Sequence, residues 1–311
     1  MNCIKEKLIV MKHNAIIRQL LFPAICLLGI LATGCINEDL DECYRLRLKV
    51  VNQKGEDITP SGYVKRTALY IFDESLNYLE TRQLDESFIT SRDEIVLDNY
   101  PASRKLNIVA WGNVNVLGEN QEVAEAKKIE DLKVMLKTNG VQANHPDSLY
   151  FGIEQVQTKA GGITEDKEVV IHPKTGSVTL QTINLHYGLR RYGFSENADC
   201  GFSLNKTLSG FDYQGEQIGD SVYYQLNTKR YNGIDYQTTE RQNACLGEDM
   251  GVELTANGNN FLTVTTDDQG EPIRTSASEN TFVVLEFAED GTLSVKVTVR
   301  PWGEVNDHIE F

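Results

Sequence analysis

An apolar run of thirteen residues, Leu20 to Ala32, dominates the start of the hydrophobic pattern, and clear helical spacing recurs only once after it. Lys5, Lys7, Lys12 and Arg18 precede the run, and Thr33, Gly34 and Cys35 follow it. The run is shorter than the roughly 20 residues that a spanning helix needs. Small residues just before a cysteine give a peptidase access to that bond. The order therefore predicts a bacterial lipoprotein signal over residues 1–34, with lipid on Cys35 as the first residue of the mature chain. Ala32 stands where a leucine is usual, and Leu31 lies one step further away.

Past the cysteine the pattern shifts to period two. Tyr44 to Val51 alternates, with Tyr44, Leu46, Leu48 and Val50 on one face and Arg45, Arg47 and Lys49 on the other, which predicts a half-buried strand. Further strands are predicted at Thr67 to Phe72, Leu106 to Trp111, Glu168 to Ile171 and Val178 to Ile183. Val222 to Leu226 and Phe261 to Thr265 continue the series, and a hairpin is predicted from Phe282 to Phe287 through Ala288-Glu289-Asp290-Gly291 to Leu293 to Val299. One helix is predicted: Lys128 to Leu136 sets Ile129, Leu132 and Leu136 on one stripe, with Asn139-Gly140 as its stop. Short strands with little helix predict an all-β chain of two tandem β-sandwich domains. The expected organisation is a signal over 1–34, a lipidated acidic tether over 35–43, and sandwiches over 44–184 and 185–311.

Charge narrows the function. The full chain has 30 basic and 45 acidic residues, and residues 1–34 hold four of the former and one of the latter, leaving 26 against 44 and a formal net charge of −18. Such a surface repels phosphate backbones, which argues against nucleic-acid binding. It also leaves membrane attachment to the lipid. Four acids fall within Asn37 to Glu42, as in a surface-export signal or a solvated tether. Cys43, Cys200 and Cys245 allow at most one bridge, with Cys200–Cys245 or three unpaired buried thiols as the alternatives.

Catalytic motifs are missing: there is no G-x-S-x-G, no phosphate-cradling glycine loop, no H-E-x-x-H and no C-x-x-C. His145, His172, His186 and His308 are scattered singly, and Asp267, Asp268 and Glu271 read as a solvated turn rather than a calcium loop. No enzyme, metal or cofactor is expected. Tyr223 and Tyr224 fall on opposite faces of a strand, which argues against a paired sugar-stacking platform. Asp147-Ser148-Leu149 and Asp220-Ser221-Val222 match the short acid-hydroxyl-apolar O-glycosylation sites of some exported bacterial proteins.

Several segments, in order, resemble the FimB-type fimbrillin family of lipoprotein anchors of type V fimbriae. They are Cys35 with Asp39-Leu40 and Cys43; Ala68-Leu69-Tyr70-Ile71-Phe72-Asp73; Leu106 to Asn113, ending in Ala-Trp-Gly-Asn; Asp147 to Gly152; and Val295 to Trp302. The resemblance implies two transthyretin-like sandwiches and a structural subunit at the fimbrial base in the outer membrane, joined to shaft fimbrillin subunits by β-strand addition. It further implies an anchor that keeps its first strand, so Arg45 and Arg47 are expected to stay uncut. The candidate donor strand is Gly303 to Phe311, where Val305, Ile309 and Phe311 share one parity and Asp307 interrupts it. The alternatives are a tip or accessory adhesin of the same assembly and a surface glycan-binding lipoprotein.

Overall fold

Two patterns, alternation in the first strand and unbroken apolar runs in two others, decide what is buried. The computed structural model describes residues 44–97, 100, 105–157 and 167–302. The first stretch forms β1 (Tyr44–Val50), β2 (Arg66–Phe72), β3 (Tyr78–Asp85), helix α1 (Glu86–Ser91), β4 (Ile95–Leu97) and β5 (Lys105–Gly112). Four short strands follow: β6 (Gln121–Val123), β7 (Val134–Leu136), β8 (Thr138–Asn139) and β9 (Gln142–Ala143). Long strands resume with β10 (Tyr150–Gln157), β11 (Lys167–Pro173) and β12 (Thr175–Ile183), and helix α2 (Leu185–Arg191) leads to β13 (Cys200–Phe211) and β14 (Gln217–Gln225). The remainder comprises β15 (Thr228–Arg230), β16 (Tyr236–Thr238), β17 (Gln242–Cys245), β18 (Gly251–Ala256), β19 (Asn259–Val264) and the hairpin β20 (Glu279–Phe287) and β21 (Leu293–Pro301).

A seven-stranded sheet has the order β3-β2-β5-β10-β11-β1-β4. It curls until its two edge strands are bridged by one side chain, because Arg82 of β3 donates to the carbonyl of Val96 in β4 at 2.7 Å. One face of this sheet closes on a core of Leu46, Leu48, Val50, Leu69, Ile71, Ile108 and their neighbours. The opposite face of β2, β5 and β10 contributes Phe72, Val109, Trp111 and Phe151 to a second, larger core shared with the strands of the C-terminal half. Burial on both faces explains why β2 and β5 read as near-continuous apolar runs rather than as alternating ones. Trp111 sits at this seam, its ring 4.8 Å from that of Phe151 and 5.5 Å from that of Phe211 in β13.

The C-terminal half holds a sheet ordered β15-β16-β12-β20-β21, with β17 also alongside β12, and another ordered β19-β18-β13-β14-β9-β8, to which β7 and β6 are joined through β13. A division near residue 184 falls at the end of β12, yet β12 lies inside the sheet of the C-terminal half, paired in parallel with β20. Strands β6 to β9 also join that half, β7 through β13 and β9 through β14. Sheet membership and chain order therefore part company: the chain between β5 and β10 makes an excursion to the later sheets before returning.

The helix expected at Lys128 to Leu136 is not formed. Ile129–Asp131 is a single 3-10 turn, held where the Asp131 carboxylate accepts the backbone N–H groups of Lys127 and Lys128 at 3.1 and 2.9 Å. Val134 and Leu136 are then buried at period two in β7, which pairs with β6 and β13. A 3-10 turn followed by a strand has reproduced a helical stripe by coincidence. Asn139 ends β8 and pairs with Gln142, and Gly140, at φ +62°, forms the turn of the β8–β9 hairpin with Val141. Helices form instead at α1 and α2.

Candidate functional site: the first strand and its clamps

β1 begins one residue after Cys43 and is held by two ladders that meet at Leu46. It pairs in parallel with β11, from Leu46 opposite Lys167 to Val50 opposite Ile171, and antiparallel with β4. Leu46, Leu48 and Val50 are each at most 3 % exposed. Burying such a side chain contributes about 1.5–3 kcal/mol, so removing this strand would open the core of the seven-stranded sheet. On the outer face Arg45 donates to Glu94 at 2.6 Å and Lys49 to Glu168 at 3.3 Å. These outer pairs are exposed enough to add little stability; the strand is fixed by its apolar face and its two ladders.

A turn at residues 57–61 locks the far end of β1. The buried Thr59 hydroxyl accepts the Val50 N–H at 2.9 Å and donates to Asp57 at 2.7 Å. The Asp57 carboxylate also takes the Thr59 N–H and pairs with Arg92 at 2.9 Å. Partial burial acts to raise the Asp57 pKa, but the hydrogen bonds from Thr59 and the Arg92 charge outweigh it and hold the group down at about 2.

The Ala110-Trp111-Gly112-Asn113 segment is the second clamp, and each residue has a separate physical reason. Ala110 faces one core and Trp111 the other. A Cβ on Gly112 would lie 3.1 Å from the Cβ of Tyr150 and 3.2 Å from Val64, leaving no room for a side chain. Asn113 adopts φ +62°, a conformation that Asn tolerates better than most residues. Its side chain accepts the Lys65 N–H at 2.7 Å and donates to the carbonyls of Tyr63 at 2.9 Å and Ser148 at 3.1 Å. One amide thus ties together three segments distant in sequence.

Asp147-Ser148-Leu149 belongs to this clamp. Asp147 is 1 % exposed and accepts the Leu117 N–H at 2.8 Å, Leu149 is fully buried, and the Ser148 hydroxyl accepts from Asn243. Burial raises the Asp147 carboxyl above the usual range. This packing answers the O-glycosylation reading at Ser148, whereas Asp220 and Ser221 are exposed on β14.

Cys200 and Cys245 are buried and unbridged, burial raising their thiols to about 11 and about 12. Tyr224 is fully buried and its hydroxyl accepts the Cys245 N–H, while Tyr223 points to the other face and reaches Gln142. The acids of the 267–271 turn face backbone amides: Asp267 accepts from Gln269 and Glu271, and Asp268 accepts from Val295. Among the described residues no cluster of His, Cys, Asp or Glu has the geometry of a metal site, and no helix is long and apolar enough to cross a membrane. Cys35, Cys43, Val305, Ile309 and Phe311 lie outside the described residues, as does His308. The clamp roles of Thr59 and Asn113 were missed by sequence reasoning; the only local signal was the polar Asn closing an apolar strand.

Residues 40–308 match the family described as fimbrillin-A associated anchor proteins Mfa1 and Mfa2. The chain belongs to this family. It is similar to the major fimbrium anchoring subunit FimB of Porphyromonas gingivalis, with 25 % identity over 287 residues covering 89 % of this chain and 93 % of that protein. Its fold is similar to that of the fimbrial anchor protein Mfa2 of Porphyromonas gingivalis, with a TM-score of 0.56 and 16 % identity over 83 % of this chain and 98 % of that one.

Proposed function

We propose that this chain is the anchor subunit of a fimbrium, held in the outer membrane by lipid on Cys35 and exposed at the cell surface. The observation that carries the reading is the placement of β1. A strand downstream of the lipid site, buried on one face and paired with β4 over its first residues and with β11 over the rest, cannot leave the fold without uncovering Leu46, Leu48 and Val50. In strand-addition polymers an incoming strand occupies a sheet position that a subunit has left open. Here the position next to β11 is filled by the subunit's own chain, which supports a subunit that ends a fibre rather than extending it in that direction. A terminal subunit of this kind also limits fibre length.

The joint to the shaft is then a strand that this subunit donates, with 303–311 as the segment and Val305, Ile309 and Phe311 as its pocket-filling side chains. Deleting residues 309–311 is expected to abolish co-purification with the shaft subunit while circular dichroism stays that of the intact chain. Normal co-purification would contradict donation by this segment.

A further inference from the structure

The longest strand at a sheet edge in the described chain is β21, nine residues at the end of the order β15-β16-β12-β20-β21. Its hydrogen-bonding directions follow from two contacts. Val295 uses its N–H and C=O away from β20, donating to the Asp268 carboxylate at 2.8 Å and accepting from the Asp268 N–H at 3.0 Å. Trp302, of the other parity, turns toward β20, its N–H bonded to the Ser278 carbonyl at 2.8 Å. In an antiparallel pair these directions alternate, so the N–H and C=O groups of Val297 and Val299 also point outward. No partner for them is found among the described residues. Asp268 closes this edge at one end, and Pro301, an outward position without an N–H, closes it at the other.

The side chains flanking this opening have a distinct chemistry. Val295, Val297 and Val299 form one row, in which Val299 is 38 % exposed. Lys296, Thr298 and Arg300 form the other row, all exposed. Lys296 pairs with Glu286 at 2.8 Å; Arg300 covers the ring of Phe282 at 5.5 Å and has no carboxylate partner among the described residues. A chain with a formal net charge of −15 thus presents a cationic row beside an open backbone.

We infer that the β21 edge binds an extended segment of a partner protein in which apolar residues alternate with acidic ones. Added as a further strand, the segment would bond to Val297 and Val299, continue the valine row with its apolar side chains and set its carboxylates beside Lys296 and Arg300. This inference goes beyond the anchoring reading and does not depend on it, because neither the lipid nor residues 303–311 take part.

The test titrates the purified full chain with a fluorescein-labelled nine-residue peptide of alternating valine and glutamate, and with its counterpart carrying lysine for glutamate. The glutamate peptide is expected to bind about tenfold or more tightly than the lysine peptide. Val299→Pro removes an outward N–H while leaving the β20–β21 ladder intact, and is expected to weaken binding about tenfold or more with no change in circular dichroism. Should that variant fail to fold, Arg300→Glu, a change to one exposed side chain, is expected to abolish or reverse the preference. Equal affinity for both peptides, binding of neither, or an Arg300→Glu variant with unchanged preference would overturn the inference. Tighter peptide binding by a chain ending at Trp302 would assign the edge to the protein's own tail, and self-association lost on Val299→Pro would assign it to a second copy; either result overturns it as well.

Discussion

Single polar side chains carry much of the long-range order here, and the contribution of Asp57 can be switched by pH. Its carboxylate is charged in the folded state well below the usual pH, because Thr59 and Arg92 favour the charged form over the penalty of burial. Since the folded pKa is depressed, the stabilisation is fully present above pH 3.8 and is lost as the pH falls through about 2. The group is exposed, so solvent screening limits the effect to less than about 1 kcal/mol. Asp57→Asn is therefore expected to lower the urea midpoint at pH 6, and the gap to the unaltered chain should close near pH 2. A gap independent of pH would contradict the link from Asp57 through Thr59 to Val50. Nothing local in the sequence marks this chain of contacts. Asn113 was similarly hidden, because its value lies in three carbonyl and amide partners at separations of 35 to 50 residues.

At the scale of elements, β1 makes the sharpest claim. A protease binds its substrate as an extended strand, and β1 is already engaged along its length, by β4 over Tyr44 to Leu46 and by β11 over Leu46 to Val50. An arginine-specific protease is expected to leave the bonds after Arg45 and Arg47 intact until the protein unfolds globally. Leu48→Asp, which forces a charge into the core, should raise cleavage at both bonds about tenfold or more; equal cleavage of the two proteins would mean that β1 is not locked. The elements legible in the sequence were those whose core-facing positions alternate cleanly or run without interruption. β1 showed clean alternation, β2 and β5 showed apolar runs, and the β20–β21 hairpin showed both alternation and a turn. The twelve-residue β13 was not legible, because Ser203, Asn205, Lys206, Thr207 and Ser209 dilute its apolar positions and its register shifts between Asn205 and Thr207 and again between Leu208 and Gly210. The stripe at Ile129, Leu132 and Leu136 misled for the opposite reason: tertiary pairing of Val134 to Leu136 with β6 and β13 overrode a local helical spacing.

For the whole molecule, the order of short segments along the chain held more information than any one of them. The strand carrying Trp111 is distinctive because that ring packs the seven-stranded sheet against Phe211 of β13, and the apolar runs of β2 and β5 record burial on both faces. What order could not convey was the excursion of β6 to β9 into the sheets of the C-terminal half, since such pairings depend on partners far along the chain. In the proposed anchor role, a folded body joined in this way would carry load from a fibre to its first strand, and a lipid on Cys35 would hold that strand to the membrane. The most direct measurement of this account is the location of fimbriae in cells carrying Cys35→Ala, counted by electron microscopy on cells and in the medium. Assembled fimbriae are expected to be shed into the medium with the variant protein attached to them. Fimbriae retained on the cells in normal numbers would contradict it.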